Sequence, residues 1–175
     1  LAGTITEAAR ATRQAALAEE QRSRADLHAR AATEQRDFAL RQLSRAEAIN
    51  DLNTFLLSDA APSGKPFTAG ELLGRAAKIV ERQHAESDAI RVEMLVAIGR
   101  QYSATDRDAE ARRLLGRAYE MSRSIPDHAT RARAACALAP AIGRDGDRRR
   151  AEALLDEALA ELPDEPQFAF DRIDC

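Results

Sequence analysis

The chain has no tryptophan, and aromatic residues make up 4% of its 175 residues. It holds two lysines and two cysteines. No run of 18 apolar residues exists, so nothing here reads as a membrane span. Nor does any stretch here read as a secretory signal sequence. Each shortage excludes something. Apolar residues reach 45%, but much of that is alanine, which builds thin helix–helix interfaces and not a thick core under a sheet. Cys136 and Cys175 fit neither a Cys-x-x-Cys metal spacing nor a disulfide-dense scaffold. Charged residues are 31% and nearly balanced, with a net charge of −3. That gives no electrostatic case for nucleic acid or for a membrane surface. The scarcity of lysine beside 24 arginines (26 basic residues less 2) reads as a coding bias and not as a phosphate-binding design.

Glycine and proline are missing between Gly3 and Pro62. Residues 4–58, rich in Ala, Arg, Glu, Gln and Leu, therefore read as one helix, roughly 80 Å long at about 1.5 Å per residue. Ile5, Ala16, Leu27, Phe38 and Ile49 recur every eleven residues. That period favours a right-handed or nearly straight seam; a solvated helix held by charge pairs is the alternative. Phe38, Leu40, Leu43, Ile49, Leu52, Phe55, Leu56 and Leu57 are dense enough to dock on a folded body.

"SDAAPSGKPFTAGELL", from Ser58 to Leu73, resembles the end of a phosphate-binding loop, and fails as one. Asp59 stands where the first glycine is needed, and Pro66 where the magnesium-binding hydroxyl is needed. What is left is a joint. Pro62, Gly64 and Pro66 stop one helix, and Thr68 with Glu71 forms a capping box for the next. The expected organisation is a stalk helix over 1–59, a joint over 60–67 and repeats over 68–175. Helices are expected near 68–84, 88–103, 107–123, 128–143, 147–161 and from 166 onward, with Asp106, Asp127 and Asp147 as N-caps. Pro140 should kink its helix.

Self-similarity organises the second half. In the stretch from Val92, Leu95, Gly99, Tyr102, Ala111, Leu115 and Ala118 fall at positions 4, 8, 11, 20, 24 and 27. In the stretch from Ala132, the same positions hold Ala135, Ala139, Ile142, Ala151, Leu155 and Ala158. Small residues at 8, 20 and 27 let two helices approach; larger ones at 4, 11 and 24 fill between them. Only Ala135 is undersized. This is the tetratricopeptide pattern. The offset from Val92 to Ala132 is wider than the usual tetratricopeptide unit, and the extra residues fall near "SRSIPDHAT". "PQFAFDRIDC" opens a third copy, and "GELLGRAAKIVERQ" reads as a lone second helix. The fold class is all-α: a long stalk helix followed by a helical-hairpin solenoid.

The run "RAEAINDLNTFLLSDAAPSGKPFTAGELLGRAAKIVE" followed by "LVAIGRQYSATDRDAEARRLLGRAYE" resembles the region after the membrane span in bacterial transmembrane serine/threonine protein kinases with C-terminal tetratricopeptide repeats. The resemblance is specific over about residues 40–120. It implies a cytoplasmic kinase domain and one span upstream of Leu1, with "LAGT" as the end of that span, and it places these residues on the extracytoplasmic, periplasmic side. The start at Leu1 and the end in mid-pattern fit a piece of a longer chain. No Gly-rich loop, HRD or DFG is present, so no catalytic residue carries over.

Such solenoids bind partners on the face lined by first helices. The candidates there are Glu93, Val96, Arg100, Ser103 and Ala104, then Arg133, Cys136, Pro140, Gly143 and Arg144. Arg100, Arg133 and Arg144 suit an acidic peptide, with ordinary solvated surface as the alternative. Repeat positions 5 and 10 set Cys136 and Cys175 apart, so free thiols are expected, with a disulfide outside the cytoplasm as the alternative. "HAESD" at 84–88 offers His84, Glu86 and Asp88, and reads as a turn and not a metal site. The expectation is a non-catalytic interaction or sensor region of a membrane kinase, with a protein or peptide partner, no cofactor, no metal and no nucleic acid. Membrane attachment would come only through the upstream span. Self-association into a homodimer is expected through a seam at Leu27, Phe38 and Ile49. The competing expectation is a cytosolic tetratricopeptide adaptor that oligomerises through residues 4–58.

Overall fold

A computed structural model describes residues 2–60, 68–82 and 87–175, with side chains described for 10, 12–51, 53–54, 68–81 and 87–175. All regular structure among them is helical. The order is α1 (Ala2–Ala60), α2 (Ala69–Arg82), α3 (Asp88–Ala104), α4 (Asp108–Ser122), α5 (His128–Arg144), α6 (Arg148–Glu161), a 3-10 turn (Pro166–Phe168) and α7 (Ala169–Asp174). The expected joint over 60–67 lies, apart from its first residue, outside the described residues. The chain divides into two compact units, Leu1–Leu43 and Ser44–Cys175.

In the first unit α1 is largely bare. Leu17, Leu27 and Leu40 are more than half exposed, at 57%, 63% and 55%. Around the boundary between the units, the half-buried positions of α1 are Asp37, Phe38, Gln42, Arg45, Ala48 and Ile49. Their spacing puts them on one helix face. Leu40 and Leu43 fall on the other side and stay exposed. The side chains of Leu52, Phe55, Leu56 and Leu57, the rest of the dense apolar run, lie outside the described residues. Of the expected seam, Leu27 is open, while Phe38 and Ile49 are already partly covered.

The second unit is built from two matching hairpins. Helix α5 runs from 128 to 144 and α3 from 88 to 104, so the two share one offset at both ends. Helix α6 starts at 148 and α4 at 108, again with that offset. Within a hairpin α3 packs on α4 and α5 on α6; the hairpins meet through α4–α5 and α3–α5, and α2 lies on α3 as α4 lies on α5. The core holds Val80, Val92, Leu95, Ala111, Leu114, Leu115 and Ala118, all at most 2% exposed. A methyl group added at Gly99 would sit 2.5 Å from Leu115 Cδ2. Here the bare backbone of position 8 makes room for the large residue at position 24.

Caps punctuate the pattern. Thr68 N–H donates to Glu71 Oε2 at 2.8 Å, and Glu71 N–H donates to Thr68 Oγ1 at 3.2 Å, closing the capping box of α2. Asp127 and Asp147 accept from the amides of Thr130 and Arg150, as N-caps do. Asp106 does not cap α4. It takes a left-handed conformation, φ 57°, and closes α3 instead. Its amide donates to Ser103 O and that of Arg107 to Tyr102 O, the two bonds of a Schellman ending. Gly146, at the matching place in the second hairpin, is left-handed at the end of α5. Helix α5 continues through Pro140 without a break, with that ring on the exposed side.

Candidate functional site

The face of α3 and α5 on which the candidates fall carries a chain of charges that crosses four helices. Each first helix contributes at an equivalent level: Glu93 from α3, Arg133 from α5, Asp171 from α7, with Arg45 of α1 at one end. Arg133 Nε donates to Glu93 Oε1 at 2.8 Å, and Arg133 Nη1 to Asp171 Oδ1 at 2.9 Å. Arg45 Nε lies 3.0 Å from Glu93 Oε2 as an ion pair lacking hydrogen-bond alignment. Thr130 Oγ1 sits between Asp127, at 2.7 Å, and Glu93, at 3.4 Å. Its single proton goes to the shorter contact.

Burial of these charges is deep: 7% of the Arg133 side chain and 5% of the Glu93 side chain remain exposed. Burial alone would push Arg133 down, but the charges of Glu93 and Asp171 and their hydrogen bonds outweigh it and raise its pKa. Arg45 has no second carboxylate of this quality, and burial lowers its pKa against the opposing pull of Glu93. Removing one member of such a chain leaves its neighbour charged and dry, which is far costlier than the net worth of the pair.

The structure therefore sorts the expected partner residues. Glu93, Val96 and Arg133 do not line an open surface. Val96 is 3% exposed and belongs to the core, and the two charges are paired internally. Arg100 and Arg144 remain half-exposed; Arg100 Nη1 lies 3.2 Å from Asp174 Oδ2, and Arg144 Nε 2.9 Å from Asp108 Oδ1. Among the other candidates Ala104 and Pro140 are exposed, and Ser103 and Gly143 half-buried. His84 and Glu86 lie outside the described residues.

The expectation of free thiols is overturned. Cys136 and Cys175 form a disulfide with Cα atoms 5.0 Å apart. The 3-10 turn at Pro166–Phe168 takes up the first residues of the expected helix before α7 begins, so Cys175 sits earlier in its helix than a count from Pro166 allows. One turn of α5, from Arg133 to Cys136, then runs beside one turn of α7, from Asp171 to Cys175. Sequence reasoning missed Arg45, Thr130 and Asp171. A signal for Asp171 was there: Glu93, Arg133 and Asp171 alternate in sign at nearly equal steps along the chain, close to the offset between the hairpins.

A second feature follows from an undersized residue. Ala135 stands where the first hairpin has Leu95, and an open cavity of about 290 Å³ lies beside it. Its walls include Tyr119, Arg123, Arg131, Glu157 and Glu161. Arg131 is fixed there by bonds to Glu161 Oε2 at 2.7 Å and Ile125 O at 2.6 Å. Comparison with protein-family models, with curated proteins and with solved structures gives no match for this chain.

Proposed function

We propose that residues 68–175 are a tetratricopeptide-like array serving as the non-catalytic interaction and sensor region of a membrane-anchored bacterial serine/threonine kinase. The observation that carries the repeat reading is the matched pair of hairpins, with α5 repeating α3 at both of its ends. Gly99 and Ala139 hold position 8, and Ala111, Ala118, Ala151 and Ala158 hold positions 20 and 27, all four alanines buried. Stacked hairpins of this kind present their first helices as a binding face for protein or peptide. The kinase assignment rests on the resemblance of residues 40–120.

The Cys136–Cys175 disulfide favours the extracytoplasmic side over the cytosolic adaptor, because such bonds persist in oxidising compartments. The region would act on the kinase through the stalk helix, by binding a partner or a second copy. No reaction is assigned to these residues.

The test uses the parent protein in its native membrane. Protease added outside the inner membrane should remove the repeats, and deleting residues 68–175 should change autophosphorylation several-fold in either direction. Repeats protected from that protease, together with unchanged phosphorylation, would overturn the reading.

A further inference from the structure

Helix α7 is short and has little apolar reason to stay where it is. Phe170 and Ile173 point away from the body, 84% and 78% exposed. Phe168, at the turn that leads into it, is buried, but what fastens α7 itself is polar and covalent. Asp171 reaches Arg133, Asp174 reaches Arg100, and Cys175 is bonded to Cys136. All three anchors lie on the face of α3 and α5 where the repeat pattern expects a partner.

The charges show what α7 does there. Without it, Arg45, Arg100 and Arg133 face Glu93 alone, three positive charges against one negative. With Asp171 and Asp174 in place the six groups balance. Helix α7 thus satisfies the face as a bound segment with two carboxylates one turn apart would. The aspartates at 171 and 174 stand at i and i+3, the spacing that puts both on one side of a helix.

We propose that α7 is a disulfide-fastened strap that occupies the partner face of α3 and α5, and that reduction by a dithiol opens this face to a helical segment carrying two carboxylates one turn apart. The proposal rests on that face being the binding surface of the array.

The chemistry is thiol–disulfide exchange. Cys136 is 4% exposed, and Cys175 is half-buried, the more accessible residue of the two. A thiolate of the dithiol attacks Cys175 Sγ; the S–S bond breaks, and its electron pair leaves on Cys136 Sγ, which takes up a proton. The second thiolate of the dithiol attacks the mixed disulfide and expels the Cys175 thiolate, which is protonated. Two electrons and two protons pass to the protein, and the dithiol becomes a disulfide. After release the strap is held by ion pairs, of which Arg100–Asp174 is solvent-exposed and weak, by the bond from Arg172 Nη2 to Leu162 O, and by buried Phe168 at its start.

The test is done on the full chain. Amide hydrogen exchange is compared before and after dithiothreitol. Protection of residues 168–175 should fall about tenfold or more while α3 to α6 keep theirs, a selective loss expected of local opening. A labelled peptide of residues 165–175, with Cys175→Ser, is then titrated into two proteins. One is the oxidised wild type; the other is the full chain carrying Cys175→Ser, Asp171→Asn and Asp174→Asn, which weakens the tethered competitor. The peptide should bind the variant and not the oxidised wild type. The same peptide with Asp171→Asn and Asp174→Asn should bind about tenfold more weakly, the order of a lost charged contact. Equal protection of α7 in both redox states would overturn the strap. Equal binding of the two peptides, or none, would overturn the carboxylate face. Neither readout involves a membrane or a kinase. A strap that opens in a chain whose deletion leaves phosphorylation unchanged would sink the kinase assignment alone.

Discussion

Gly99 and Leu115 show how single residues set the distance between helices. Any side chain at 99 would strike Leu115, whose own position is fixed by a fully buried environment. Ala111, with no exposed surface, plays the same part from the other helix of the hairpin. The expected result for Ala111→Leu is overpacking, with a loss of about 1–3 kcal/mol measured by denaturant unfolding. An unchanged midpoint would mean that position 20 is not the close contact the pattern requires. At this scale the sequence was readable wherever size alone decides, as at Gly99, Ala111 and Ala118. It was not readable where a residue's partner is distant. Nothing in the neighbourhood of Glu93 announces that Arg45 and Arg133, far off in the chain on either side, will share its two oxygens.

Helix limits were legible to within a turn in most cases, because caps are local chemistry. The exceptions also have local causes. Asp106 is equally suited to cap a helix and to close one, and the left-handed ending of α3 claims it first. Helix α7 starts late because Pro166 initiates a 3-10 turn. At the start of α2 the capping box makes a pH prediction. The amide of Thr68, and then its hydroxyl, hold the Glu71 carboxyl below its ordinary range. A depressed carboxylate pKa adds stability above the unfolded-state pKa, and that contribution is lost as pH falls through the folded-state value. Thermal melts of Glu71→Gln should therefore lie below wild type at neutral pH. The gap should close as the pH drops below the ordinary glutamate range. A gap that stays constant with pH would show that the charge of Glu71 contributes nothing.

For the whole molecule, the absence of glycine and proline made the long helix α1 visible in the sequence, but the boundary between the two compact units, Leu43 to Ser44, falls inside that helix, where no glycine or proline marks it. The disulfide was not visible either, because it depends on how α7 lies along α5. Leu17 and Leu27 remain exposed on α1, and a helix without tertiary packing is marginal in water. A second copy is the simplest cover. The protein should sediment as a dimer at micromolar concentration, and Leu27→Glu should give a monomer with its repeats still folded; a wild type that stays monomeric at high concentration rejects the seam. The central claim, that these repeats act outside the cytoplasm as a partner-binding region, is tested most directly by the state of its two cysteines in the cell. Growing cells are treated with a membrane-permeant thiol alkylator, and the parent protein is then digested and weighed by mass spectrometry. The account predicts a Cys136–Cys175 cross-linked peptide pair with neither cysteine labelled. Alkylation of both cysteines in most molecules would place the chain in a reducing compartment and contradict it.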